Sequence, residues 1–150
     1  MKSATPKVMH RIGGRSLLGH AVTAASALRP GALVVVVGHG RDQVSEHVHA
    51  LAGEAQVAVQ EQQNGTGHAV ECALAQVDVS EGTIVVTYAD VPLLSAQTLG
   101  DLMARHEQES AAVTVLTAEV ADPTGYGRVV RDADGQVEAI VEQRDADDRQ

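Results

Sequence analysis

The sequence predicts a three-layer α/β domain built on a mostly parallel sheet, and three observations carry that expectation. Short apolar runs rich in β-branched residues recur at 32–38, 55–60, 83–88 and 111–120, with helically spaced segments between them. Such alternation is the pattern of parallel strands joined by helices that cover the sheet faces. The run at 32–38 and the core Ile84, Val85, Val86 of the run at 83–88 are apolar without interruption, as in strands covered on both sides. With 150 residues and 44% hydrophobic content, the chain is long enough for one domain with a sizeable core.

Residues 1–15 are polar, with Lys7 lying between Pro6 and the apolar pair Val8 and Met9; taken alone, such a lysine is a solvated charge. Ser16 is placed to cap a helix whose Leu17, Ala21, Ala25 and Leu28 form one stripe, stopped by Pro30. After the strand at 32–38, Gly38-His39-Gly40 lacks the remaining glycine of a dinucleotide-binding turn. Val44, Val48 and Leu51 mark a second helix, on which His47 and His49 fall on different faces and read as solvent-side residues. Beyond the strand at 55–60, Gly65-Thr66-Gly67 leads into a helix with Ala69, Val70, Ala73, Leu74 and Val77 inward. The glycines let backbone approach a ligand and Thr66 can cap the helix, which suits an anion or a base edge; an ordinary capped turn is the other reading. His68 reads as a first-turn surface residue.

Ser95 is placed to cap a helix carrying Leu99, Leu102, Met103 and, at its boundary, His106. A strand at 111–120 and a hairpin turning at Asp134-Gly135 follow, and 144–150 is a polar tail. The glycine comes too soon after Asp132 and Asp134 for an EF-hand, so these acids read as turn and solvent residues.

Composition excludes several classes. With a net charge of -9, no Phe or Trp and two Tyr, the chain has neither a basic face nor an aromatic platform for nucleic acid. Cys72 has no partner for an internal disulfide and reads as a reduced, packed thiol of a cytoplasmic protein. No apolar run reaches membrane-spanning length, and the first residues lack the apolar core of a secretory signal.

The stretch TIVVTYADVPLL, 83–94, places Asp90 just past the carboxyl end of a strand, the edge where open α/β sheets bind ligands. A carboxylate there either holds a metal or shapes the turn before Pro92.

TPKVMHRIGGRSLLGHAV, QEQQNGTGHAVECAL, YADVPLL, DPTGYGRVVR and AIVEQRDA resemble, in order and spacing, the bacterial N-acetylglucosamine-1-phosphate uridyltransferases. These form the amino-terminal half of a bifunctional enzyme that also acetylates glucosamine-1-phosphate. GTGHA together with DPTGYGR and IVEQ-x-DA is more specific to that family than PKV or DVPLL, which recur across sugar nucleotidyltransferases.

The resemblance implies a Rossmann-like nucleotidyltransferase fold and transfer from UTP to N-acetylglucosamine-1-phosphate, giving UDP-N-acetylglucosamine and pyrophosphate for the cell wall. It implies that Lys7 contacts the nucleotide phosphates, that Gln60 and Gly65 face uracil, and that Thr66 lies by nucleotide and sugar. Asp90 would bind Mg2+, while Tyr88, Gly127 and Glu142 would hold the N-acetylglucosamine. The departures are equally specific. Relative to the family the chain looks cut at both ends: the first strand is missing, only Met1 remains of the glycine-rich turn ahead of Lys7, and asparagines for metal and sugar would lie beyond residue 150. The left-handed β-helix that carries the acetyltransferase and builds the homotrimer is not in this sequence, and Ala89 stands where the family has glycine. A related sugar-phosphate nucleotidyltransferase using another base or sugar, and a non-catalytic remnant that binds ligand, are the alternatives.

Overall fold

The computed structural model describes residues 5–38, 41–79 and 81–148. Met1, and His39 and Gly40 of the Gly38-His39-Gly40 stretch, lie outside the described residues. The chain divides into two compact units, Met1–Ala112 and Val113–Gln150. The reason lies in the core: every buried hydrophobic side chain among the described residues, from Leu18 to Leu99, belongs to the first unit.

In that unit a 3-10 turn, Lys7–Met9, precedes a minimal antiparallel ladder of β1, Arg11–Ile12, and β2, Arg15–Ser16. Helix α1, Leu17–Ser26, starts where Ser16 Oγ accepts the Gly19 N–H at 2.9 Å, as the Ser16 cap predicts. Strand β3, Val34–Val37, runs parallel to β4, Gln56–Val59, from Val34 opposite Gln56 to Val37 opposite Val59. Their crossover is α2, Arg41–Leu51, which buries Val44 and Val48. Helix α3, Thr66–Leu74, is only half-buried on its inner face, and α4, Ala96–Glu109, is capped by Ser95 Oγ on the Thr98 N–H. Leu18, Val22, Val37, Val44, Val48 and Ala55 form the core, and Val8, Met9, Val35, Val57 and Ala89 pack around it.

In the second unit β5, Arg128–Arg131, and β6, Val137–Val141, form the hairpin expected at Asp134-Gly135. Asp132 closes its turn by accepting the Asp134 and Gln136 N–H groups at 3.0 and 2.8 Å, and Gly135 supplies φ 80°. These are turn roles, as predicted.

The mostly parallel sheet is not formed among the described residues, which hold three two-stranded sheets, only β3–β4 being parallel. Residues 83–88 and 111–120 belong to no ladder. Along 83–88 exposure alternates, with Ile84, Val86 and Tyr88 open and Val85 and Thr87 partly covered, so one face is bare where two covered faces are expected. Extended propensity is local, whereas a ladder needs a matching register across two segments, and 83–88 and 111–120 form no ladder among the described residues.

Candidate active site

Lys7 and Asp90 are 83 residues apart in sequence, yet Lys7 Nζ donates to Asp90 Oδ2 at 2.6 Å. Their neighbours bring them together. Val8 and Met9 on one side and Ala89 on the other pack against the same core, so the adjacent polar side chains emerge side by side. The Ala89 methyl is thus a packing group. With side-chain exposures of 65% and 33%, the pair is worth only about 0.2–1 kcal/mol to the fold. It is therefore a charged site held by the fold rather than a prop of it.

A second cluster joins the end of β4 to the start of α3. Gln60 Nε2 donates to the Gly65 carbonyl at 2.9 Å and lies 3.1 Å from His68 Nδ1. Gly65, at φ 92° and ψ 180°, adopts a backbone that only glycine takes readily, and it occupies the N-cap position of α3. Thr66 is the first helical residue, and α3 has no side-chain cap, contrary to the capping role the sequence predicts. The first N–H groups of the helix therefore remain available to a ligand. His68 is not a simple surface residue: it is half-buried and bonded on both ring nitrogens, with Gln60 Nε2 and the Gln62 carbonyl 3.1 Å from Nδ1 and Cys72 Sγ 3.8 Å from Nε2. Tyr88 is 62% exposed on the unpaired 83–88 stretch.

In the second unit the register sets Gly127 and Glu142 across from each other, one step beyond the Arg128–Val141 rung at the open end of the hairpin. A methyl group on Gly127 would meet the Val141 carbonyl at 3.4 Å, so the strands approach closely there. The turn ahead of Gly127 is tied down by the Arg128 guanidinium donating to the carbonyls of Pro123 and Tyr126, and by the Gly125 N–H donating to Gln143. Asp122 opens that turn. The Thr124 side chain, and then its backbone N–H at 3.1 Å, hold the Asp122 carboxyl below the usual carboxylate range.

No group of three or more metal-ligating side chains occurs among the described residues. A lone carboxylate still fits Mg2+, which commonly takes one or two protein carboxylates and completes its shell with phosphate oxygens and water. Asp90 Oδ1 is the oxygen not engaged by Lys7.

A model of the MobA-like NTP transferase domain matches residues 1–148. The chain belongs to the MobA-like NTP transferase domain family. Among curated proteins, the NTP transferase chain is 55% identical over 154 residues to the bifunctional protein GlmU of Corynebacterium efficiens, an alignment covering 100% of this chain and 32% of that protein. The bifunctional protein GlmU of Thermobifida fusca is 55% identical over 154 residues, and that of Streptomyces avermitilis 57% over 152, each covering 100% of this chain and 32% of the relative. The chain spans about a third of the length of the curated relatives it matches.

Two features of this NTP transferase chain were not foreseen. His47 is half-buried, not solvent-side, because the hydroxyl of Ser16 reaches its Nε2 at 2.7 Å. Arg41 pairs with Glu61 at 2.6 Å, joining the start of α2 to the loop after β4. Both link residues distant in sequence, and helical spacing contains no signal for either. Among the described residues no helix is long and apolar enough to cross a membrane.

Proposed function

We propose that this chain is the nucleotide-gripping part of a sugar-phosphate uridyltransferase that joins UTP to N-acetylglucosamine-1-phosphate with Mg2+. The observation that carries this reading is the meeting of Lys7 and Asp90 at 2.6 Å across 83 residues of sequence. The phosphate oxygen of the sugar phosphate attacks the α-phosphorus of UTP; the bond from that phosphorus to the β-phosphate bridging oxygen breaks, and pyrophosphate leaves. Two anions must approach within a chain whose net charge is -9, so local positive charge and orientation supply most of the rate. Lys7 neutralises phosphate oxygens, and Asp90 holds Mg2+, which when bound offsets the charge of the polyphosphate. Gln60 and the backbone at Gly65 and Thr66 orient the uracil nucleotide. Tyr88, Gly127 and Glu142 contact the amino sugar, the carboxylate accepting hydrogen bonds from its hydroxyls.

The family match and the likeness to bifunctional GlmU proteins support nucleotidyl transfer to a sugar phosphate, and the resemblance of the PKV, GTGHA, YADVPLL, TGYGR and IVEQ segments guides the choice of substrates. The chain is in this reading part of a longer enzyme, with a homotrimer confined to the full-length protein, and it works in the cytoplasm. The test is pyrophosphate release from UTP, N-acetylglucosamine-1-phosphate and Mg2+. Asp90→Asn is expected to abolish release while the thermal transition is retained. Near-normal Mg2+-dependent turnover in that variant would refute the assignment.

A further inference from the structure

We propose that His68 locks the carboxamide of Gln60 so that only its oxygen faces the nucleobase, making the site a reader of the uracil N3–H. This rests on the reading above that Gln60 meets the base. The amide orientation follows from its neighbour: the Gly65 carbonyl, 2.9 Å away, accepts only from the –NH2 end. The second amide hydrogen then has His68 Nδ1 as its acceptor at 3.1 Å.

Two ring tautomers are possible, and the surrounding bonds choose between them. With a proton on Nδ1, the ring would donate to the Gln62 carbonyl at 3.1 Å but set two donors against each other at Gln60. The Gln62 carbonyl already accepts the Asn64 N–H at 2.8 Å, so it does not need the ring. With the proton on Nε2, Gln60 keeps both donors satisfied, and the ring donates toward Cys72 Sγ, 3.8 Å away and one turn along α3. That arrangement satisfies both amide hydrogens of Gln60; the Gln62 carbonyl, 3.1 Å from the bare Nδ1, keeps the Asn64 N–H as its donor.

The consequence is chemical selection. With both amide hydrogens spent inside the protein, Gln60 has only its carbonyl oxygen left for a ligand. A uracil N3–H donates to that oxygen, while its flanking carbonyls find donors in the uncapped first turn of α3. Cytosine presents a lone pair at N3, which the oxygen repels. His68 is a positioning residue, acting on the base through Gln60.

Two measurements on the full chain test this. Nitrogen-15 shifts of the His68 ring in the nucleotide-free protein are expected to show protonated Nε2 and bare Nδ1. Binding of UTP and CTP is expected to favour UTP, and His68→Leu to reduce that preference by about tenfold, the loss of one hydrogen-bond match. His68→Asn, whose amide oxygen can stand where Nδ1 stood, is expected to restore it. A proton on Nδ1, or an unchanged UTP preference in His68→Leu, overturns the lock and leaves the uridyltransferase reading intact. Failure of the parent chain to bind any nucleotide overturns that reading and the base selection with it, whatever the ring tautomer.

Discussion

Lys7 and Asp90 gain almost nothing for the fold from each other, and that is what makes them informative. An exposed ion pair contributes about 0.2–1 kcal/mol, so Lys7→Ala is expected to leave the thermal transition within about 1 kcal/mol of the parent while removing phosphate neutralisation. Loss of pyrophosphate release without loss of stability would separate the two roles. Asp122 has a pH signature of its own. Its carboxyl is held low in the folded chain by Thr124, so the turn it closes is favoured above the ordinary aspartate pKa and weakens as pH falls through the lowered value. An acid titration followed by the Thr124 amide resonance is expected to show the turn opening in the acid range. Asp122→Ala is expected to abolish that transition. At this scale the caps and turns were legible: Ser16, Ser95 and Asp132 each bond a backbone N–H close by in sequence. Other ionic and hydrogen-bond partners were not: the Gln60 to His68 contact depends on how a strand end meets a helix start, which spacing does not encode.

The helices were readable because their ends are local. Ser16 and Ser95 each cap the turn that follows them, and Val44 and Val48 fall on the buried stripe of α2 as their period requires. Within α1, Gly19 runs against propensity, since alanine is preferred to glycine by about 1 kcal/mol inside a helix. Here a Cβ at position 19 would lie 2.9 Å from Ser16 Oγ, which is fixed by its own bonds to the Gly19 N–H and to His47. Gly19→Ala is therefore expected to destabilise the protein, by about 1 kcal/mol or more as the cap is displaced, in a chemical denaturation measurement. A gain in stability would show that the cap tolerates the methyl. Strands were legible only as extended segments. The registers of β3 with β4 and of β5 with β6 followed the apolar runs and the Asp134-Gly135 turn, whereas 83–88 and 111–120 have the composition of strands and no ladder among the described residues.

For the molecule as a whole, the unpaired stretch at 83–88 is a liability as well as a frame for Asp90. Ile84, Val86 and Tyr88 are 54%, 62% and 62% exposed on one face of an extended segment, a template for pairing with another chain. Self-association that grows with concentration is expected in sedimentation velocity, and Val86→Lys is expected to suppress it; an unchanged profile would locate the contact elsewhere. The fold class was read correctly as a mixture of helices and strands; the position of the core was not legible, because hydrophobic content says how much core a chain can build and not where. The division into Met1–Ala112 and Val113–Gln150 has a genetic corollary. With all the buried apolar side chains among the described residues encoded upstream, a crossover within 113–120 would transplant Gly127 and Glu142 as one cassette and leave the core's gene segment whole. On the role proposed above for Gly127 and Glu142, new acceptor preferences lie within reach of a single recombination event, without a long path of compensating point changes.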